Sequence, residues 1–325
     1  MLDIFTQIGY HPFAFALCVI LALIPTMAWF LIFAHRHTHR WKYVFLTFVA
    51  GMGAAALILL YQYFWDTRFD FLFFAVDVQN FNDTIPMSVR SILLSTLLVF
   101  FSIGFLEEYS KHWIVKKTDK KIFESIDDVI EFSIIGALGF AFLENIGYFL
   151  LEIVENGGEN IVSLFFMRSM FVVFIHVLCS GIYGYYYGLA HFAEPLLKEW
   201  EKEGKIPRFP RFVHYLTHMR KARVFRDEMT TLGLLIAIVI HGSYDFLLEM
   251  GTVGKLVSIV IGREIHFAGE AIQIHVLLLP VLLVFGFLYL SELLRKKEDQ
   301  KRRGHIEVRE EFVFGDDSLS EQPIR

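Results

Sequence analysis

Residues 12–34 read PFAFALCVILALIPTMAWFLIFA, a stretch without a single charged side chain. A helix rises ~1.5 Å per residue, so a run of this length crosses the ~30 Å hydrocarbon core of a bilayer. Comparable apolar runs recur at roughly 43–65, 89–115, 130–152, 162–190, 229–250 and 271–294. The sequence therefore predicts an all-α polytopic membrane protein with about seven transmembrane helices. Two shorter pieces, Phe69–Val78 and Leu256–Gly262, fall below spanning length and are expected to be interfacial or re-entrant. The first run lacks the preceding Lys or Arg and the following small-residue site of a cleaved signal peptide.

Composition agrees. Of 325 residues, 55% are apolar and 20% charged, and the unbroken runs exclude a soluble enzyme, a disordered chain and a nucleic-acid-binding module. The net charge of -5 gives no reason to expect a polyanionic partner. Cys18 and Cys179 both lie inside apolar runs and make no disulfide framework.

Lys and Arg set the expected orientation. They are missing from residues 1–11, and Arg36, Arg40 and Lys42 fill the first loop. Asp66, Asp70, Asp77 and Asp83 dominate the second, and Lys116, Lys117, Lys120 and Lys121 fill the third. The stretch Glu152–Asn160 has no base, residues 193–228 hold nine, and the tail opens with Arg295, Lys296 and Lys297. This alternation predicts an external N-terminus and a cytoplasmic C-terminus. The expected organisation is two helices and an external loop at 1–88, a four-helix core at 89–250, an external loop and last helix at 251–294, and a charged, partly disordered cytoplasmic tail at 295–325. Residues 193–228, with Pro195, Pro207 and Pro210 among basic and aromatic residues, read as an interfacial segment on anionic lipid.

Ionisable groups inside spans cost roughly 2.5–3.5 kcal/mol each on insertion scales and mark function by default. Here they concentrate on four helices. Glu107 and Glu108 stand next to each other in FFSIGFLEEYSKHW (100–113), with Lys111 within one turn of both. Glu144 sits mid-run in GALGFAFLENIGYFLL (136–151), between Phe140 and Tyr148 and beside Asn145. His176 lies in the next span, and His241 and Asp245 share a helical face at i,i+4. Counted from the cytoplasmic ends, Glu144, His176 and His241 lie about 20 Å deep, and the acid pair is several ångströms shallower. Each group has a bland counterpart: a solvated ion pair for Glu107, Glu108 and Lys111, and interhelical hydrogen bonds for Glu144 and His176. Arg168 reads as snorkelling toward the outer surface, and Gly181, Gly184 and Gly188 as a packing face.

Glu-Glu-x-x-Lys at 107–111, Phe-x-x-x-Glu at 140–144 and His-x-x-x-Asp at 241–245, with His176 before its Ser-Gly pair, resemble the PrsW family of bacterial intramembrane proteases over roughly residues 89–250. That family is distantly related to the CAAX prenyl protease and Abi superfamily. The resemblance implies an intramembrane endopeptidase, of metallo- or glutamate type, acting on membrane-anchored regulators such as anti-sigma factors. Catalytic candidates are Glu107, Glu108, Lys111, Glu144, His241 and Asp245, with Glu107 or Glu108 as base. In a metal version Glu144, His176, His241 and Asp245 are candidate ligands for Zn2+, although the His-Glu-x-x-His signature is missing. The expected partners are the lipid bilayer and a membrane-anchored protein substrate. A non-catalytic scaffold or an ion-coupled transporter would also bury such groups, but a transporter is disfavoured by the lack of internal repeats.

Overall fold

The computed structural model describes residues 12–34, 40–68, 89–118, 122–202, 204, 207–261 and 274–302. They form α1 (Pro12–Ala34), α2 (Trp41–Arg68), α3 (Val89–Thr118), α4 (Ile126–Asn156), α5 (Ile161–Met167), a π-helical turn (Arg168–Val172), α6 (Val173–His191), α7 (Ala193–Lys202), α8 (Arg208–Thr217), α9 (Lys221–Ile261) and α10 (Ile274–Arg302). There is no strand among the described residues. Five stretches are long and apolar enough to cross a membrane: Pro12–Ala34, Trp41–Leu60, Ile126–Asn156, Ile161–His191 and Lys221–Leu248. Their outward side chains, such as Ile20, Leu31, Phe45, Leu57 and Phe166, are exposed and apolar, as a lipid-facing surface requires. The chain is a polytopic membrane protein. The segments expected to span at 89–115 and 271–294 fall on α3 and α10, which are helical but are not among these five.

Helix α4 is the axis of the bundle. In its most apolar stretch 72% of residues are buried, against 28% in α1 and α2, so α4 is shielded from lipid by its neighbours. Packed around it are α1, α2 and α6, with α3 touching it less closely; α9 packs on α3 and α6, and α10 on α9 and α6. Local chemistry fixes its ends. The Ser125 hydroxyl accepts from the Asp128 N–H (3.2 Å), and Asp127 and Asp128 in the first turn complement the macrodipole. At the other end Gly157 takes a left-handed φ of 65°, where a side chain would be strained. Arg40 donates to both oxygens of Asp128 at 3.1 Å and to the Ile122 carbonyl at 2.9 Å. That bidentate pair ties the start of α2 to the start of α4.

Small residues let the helices meet backbone to backbone. A Cβ on Gly139 would lie 1.9 Å from the Phe48 carbonyl oxygen, so α2 and α4 touch there. A Cβ on Gly104 would lie 3.1 Å from the Gly242 nitrogen, which presses α3 against α9. Gly184 and Gly188 face Ile130 and Ile126 of α4, and Gly181 faces Leu290 of α10, in keeping with a packing face.

Several expected boundaries move. Leu256 belongs to no separate interfacial piece, because α9 runs unbroken to Ile261 and crosses the expected core boundary at 250. Residues 249–261 include no proline, so every N–H is available to the helical ladder despite Gly251 and Gly254. The basic segment 193–228 folds as α7, α8 and the first turns of α9. Pro195 and Pro210 occupy first turns and Pro207 immediately precedes α8, positions that need no N–H donor. Helix α10 continues to Arg302, past the expected end of its span. Phe69–Val78 and the tail after Arg302 lie outside the described residues.

Candidate active site

Four helices bring the ionisable residues to one place. On α3, Glu107, Glu108 and Lys111 are 8%, 3% and 4% exposed, so the ion pair is buried rather than solvated. Lys111 Nζ donates to Glu108 Oε1 at 2.7 Å and lies 3.6 Å from Glu107 Oε2. It also stands 4.3 Å from the Phe140 ring centroid of α4, a cation–π contact. The close Gly104–Gly242 crossing, one turn before Glu108 and next to His241, makes the next link possible. His241 Nδ1 donates to Glu108 Oε1 at 2.7 Å.

These partners assign the histidine protons. A lysine ammonium can only donate, so His176 Nδ1, 2.8 Å from Lys111 Nζ, accepts. His176 Nε2–H then donates to Glu144 Oε2 at 2.9 Å. In a neutral His241, Nδ1–H serves Glu108 and leaves the Nε2 lone pair open. That atom lies 3.6 Å from both Glu107 Oε2 and Asp245 Oδ2. The two imidazoles meet edge to face, with centroids 5.1 Å apart.

Beyond Glu144 the chain of contacts continues to a residue that the sequence reading put at the surface. Arg168 is buried; its Nη2 lies 2.9 Å from Glu144 Oε1, its Nε donates to Asn145 Oδ1 at 2.5 Å, and its guanidinium stacks 3.8 Å from the Tyr148 ring centroid. Arg168 therefore does not snorkel. The π-helical turn Arg168–Val172 explains its direction. In a regular helix, residues 168 and 176 would face about 80° apart. Absorbing one extra residue in the wider turn brings them to within about 20°. Both then reach the same carboxylate. Nothing in residue types or spacing announces that turn. A second cluster has no signal in residue spacing: His112, next to Lys111 in the chain, is buried, hydrogen-bonded to the Tyr183 hydroxyl and packed edge-on against Tyr187.

A cavity of about 220 Å³ opens between these helices, lined by Glu107, Glu144, Arg168, His176, His241 and Asp245 together with apolar residues such as Phe140. Ala55, Ile58 and Leu59 of α2 form part of its wall, so the second helix contributes to the site. Glu108 and Lys111 lie behind the wall, whereas Glu107 faces the cavity. The two adjacent carboxylates thus have different surroundings: Glu108 accepts two hydrogen bonds through one oxygen, and Glu107 Oε2 is buried with no hydrogen-bond partner.

The residues fit a cation. Glu107, His176 and His241 each offer a donor atom, and the three lie within 4.8 Å of one another, a donor set suited to a borderline ion. The Glu107 oxygen that lacks a hydrogen-bond partner lies 3.6 Å from both His241 Nε2 and Lys111 Nζ. Four carboxyl groups (Glu107, Glu108, Glu144, Asp245) meet two fixed cations (Lys111, Arg168), an excess of acidic groups that a bound cation would offset. Of the ligand set expected from the sequence, the two histidines fall in this group, and Glu144 and Asp245 line the same cavity.

Comparison with known proteins agrees with the chemistry. A family model described as PrsW family intramembrane metalloprotease matches residues 39–207, about half of the chain. The match extends from α2 through α7, including the acid pair, Glu144 and His176, and stops before His241 and Asp245. Protease PrsW of Bacillus subtilis is 27% identical over 230 residues, which cover 63% of this chain and 84% of that protein. Protease PrsW of Oceanobacillus iheyensis is 28% identical over 152 residues, 46% of this chain and 54% of the relative. That of Geobacillus kaustophilus is 38% identical over 96 residues, 29% of this chain and 39% of the relative. No solved structure matches the chain. An acid- and histidine-lined cavity inside a bundle of spanning helices, carried by a sequence that matches this family over α2 to α7, makes the chain a peptidase and a member of the PrsW family of intramembrane metalloproteases.

Proposed function

We propose that the chain is an endopeptidase that cuts membrane-anchored proteins, anti-sigma-like regulators among them, with Glu107, His176 and His241 holding one Zn2+ at the cavity. The observation that carries this reading is the convergence of donor atoms from Glu107, His176 and His241 within 4.8 Å, with a Glu107 oxygen that has no hydrogen-bond partner. When bound, the ion would polarise a water and the scissile carbonyl. The other roles belong to side chains around it. Glu108, neutralised by Lys111, holds His241 through Nδ1–H and turns Nε2 to the cavity. Glu144, backed by Arg168, orients the His176 ring, and ligation by His176 exchanges one of its two hydrogen bonds. Asp245, a carboxylate facing the cavity, takes the proton of the attacking water and returns it to the leaving amine. Apolar walls of α2, α3 and α4 exclude bulk water and admit an extended, apolar substrate segment.

A second reading without metal is favoured by one contact. Lys111 already places a cation 2.8 Å from His176 Nδ1. In that reading Glu107 is the base, and His241, oriented by Asp245, holds the oxyanion, as the distant kinship with the CAAX prenyl protease and Abi superfamily would have it. The orientation and organisation that accompany both readings are seven spans, an external N-terminus and a cytoplasmic C-terminus in the bacterial cytoplasmic membrane, supported by the alternation of basic and base-poor loops. The test is the purified full chain with a single-pass substrate, assayed with and without chelator while metal content is measured. The metal reading expects copurified zinc, loss of cleavage on chelation, Glu107→Gln without metal, and Asp245→Asn with metal but without turnover. Full cleavage by a metal-free, chelated enzyme would overturn it in favour of the Glu107 base.

A further inference from the structure

Helix α8 turns its greasy side outward. Its inner face is set by buried Pro210 and by half-buried Val213 and His214, whose Nδ1–H donates to the Met219 carbonyl at 2.6 Å. On the opposite arc Phe209, Phe212, Tyr215 and Leu216 are 52%, 59%, 81% and 59% exposed. At about 100° per residue these four occupy roughly a third of the helix circumference, and exposed Arg208 and Arg211 lie within or at the edge of that arc.

Its place in the fold is equally constrained. Phe192 alone separates the spanning stretch Ile161–His191 from α7, and α8 ends three residues before α9, whose first part is the spanning stretch Lys221–Leu248. Three residues reach ~10 Å at most, so α8 is held at the level where two spans leave the bilayer. The turn between α8 and α9 is defined, with His218 left-handed at φ 58° and Met219 N–H donating to Thr217 Oγ1. From Gly204 to Arg226 the chain carries seven Lys or Arg and no Asp or Glu.

We propose that α8 is a docking element for anionic phospholipid, with Phe209, Phe212 and Leu216 entering the edge of the acyl region and Arg208 and Arg211 meeting lipid phosphates. Apolar and aromatic side chains flanked by arginine on an outward arc suit a headgroup boundary, where ring and guanidinium find different solvents within a few ångströms. An acidic protein partner would satisfy the arginines and leave the aromatic arc without a reason to face outward. The inference rests on the orientation proposed above only for the leaflet it names, the cytoplasmic one. Docking itself requires only the adjacency of α8 to the two spans.

The test reconstitutes the full chain into nanodiscs of phosphatidylcholine alone or of phosphatidylcholine mixed with phosphatidylglycerol. A polarity-sensitive fluorophore is placed at Tyr215→Cys; Cys18 and Cys179 are buried and are not expected to compete for label. The expected result is quenching by brominated lipid in the mixed discs, shielding from aqueous iodide, and loss of both in high salt. Arg208→Gln with Arg211→Gln lowers the ratio of docked to undocked helix about thirty-fold, or about fivefold per arginine. Equal iodide access in both lipids with no lipid quenching overturns the proposal. Shielding that appears only on adding a substrate protein, independent of lipid charge, overturns it in favour of a protein-docking surface. Both leaflets of the disc carry the same mixture and cleavage is not the readout, so failure of the orientation or protease reading leaves this outcome unaffected.

Discussion

Replacing Arg168 by Gln removes one half of a buried charge pair. Glu144 then keeps its hydrogen bond from His176 but loses the guanidinium at 2.9 Å, inside a site already richer in acids than in bases. Breaking a buried pair from one side costs about 3–5 kcal/mol, most of it the isolation of the remaining charge. The lost stack on Tyr148 adds about 0.5–2 kcal/mol. Arg168→Gln is therefore expected to destabilise the bundle by about 4 kcal/mol or more, measured by reversible unfolding in mixed detergent micelles. Arg168→Lys retains the charge but not the planar stack or the bond to Asn145, and loses less. The decisive arm is Arg168→Gln combined with Glu144→Gln: with both charges gone, most of the stability returns while cleavage does not. A loss below about 1 kcal/mol in the single variant, the scale of an exposed pair, or a double variant no more stable than the single, would refute the buried pair.

Gly104→Ala places a methyl 3.1 Å from the Gly242 nitrogen; α3 and α9 must part by a few tenths of an ångström, so cleavage falls about tenfold while the thermal melt in detergent changes little. Gly139→Ala drives a Cβ to 1.9 Å from the Phe48 carbonyl oxygen and is expected to abolish assembly, read as loss of a monodisperse peak in size-exclusion chromatography. Asp128→Asn weakens the pair with Arg40 far from the cavity and lowers stability by about 1–3 kcal/mol, with kcat unchanged in the folded fraction; a selective loss of kcat would contradict that remote role. Reporters fused after Leu294 or within Lys198–Arg226 are expected to read cytoplasmic and one near Gly157 external, and a cytoplasmic signal at Gly157 would overturn the proposed orientation.

Five of the expected spans were legible because bilayer thickness sets a length that hydropathy alone reveals. The ends of the helices were not. Nothing in hydropathy says that α9 persists to Ile261, since a helix can extend on its backbone ladder alone, and the segment holding Pro195, Pro207 and Pro210 gave no helix boundaries although Pro195 and Pro210 sit in first turns. Within the site, residue type and i,i+4 spacing were enough to pick out Glu107, Glu108, Lys111, Glu144, His176, His241 and Asp245, which the fold brings to one cluster. Their division of surroundings was beyond sequence: Glu107 and Glu108 are adjacent and chemically identical, and only the turn of α3 against α9 sends one to the cavity. Arg168 was misread for a related reason. Its partner depends on one extra residue in a helical turn, a change of phase that no window of residue types records.

Helix α9 spans 41 residues without a break, a rod of ~60 Å. His241 stands about 30 Å along it from Lys221, where α8 joins the rod. A lean of about 5° pivoting at that junction carries His241 sideways by ~2.6 Å, as far as the whole separation between its Nδ1 and Glu108 Oε1. The His241 imidazole thus rides midway along a rod whose near end is anchored beside α8. Thickness or surface charge of the bilayer becomes, through this rod, a length coordinate of the cavity that His241 lines.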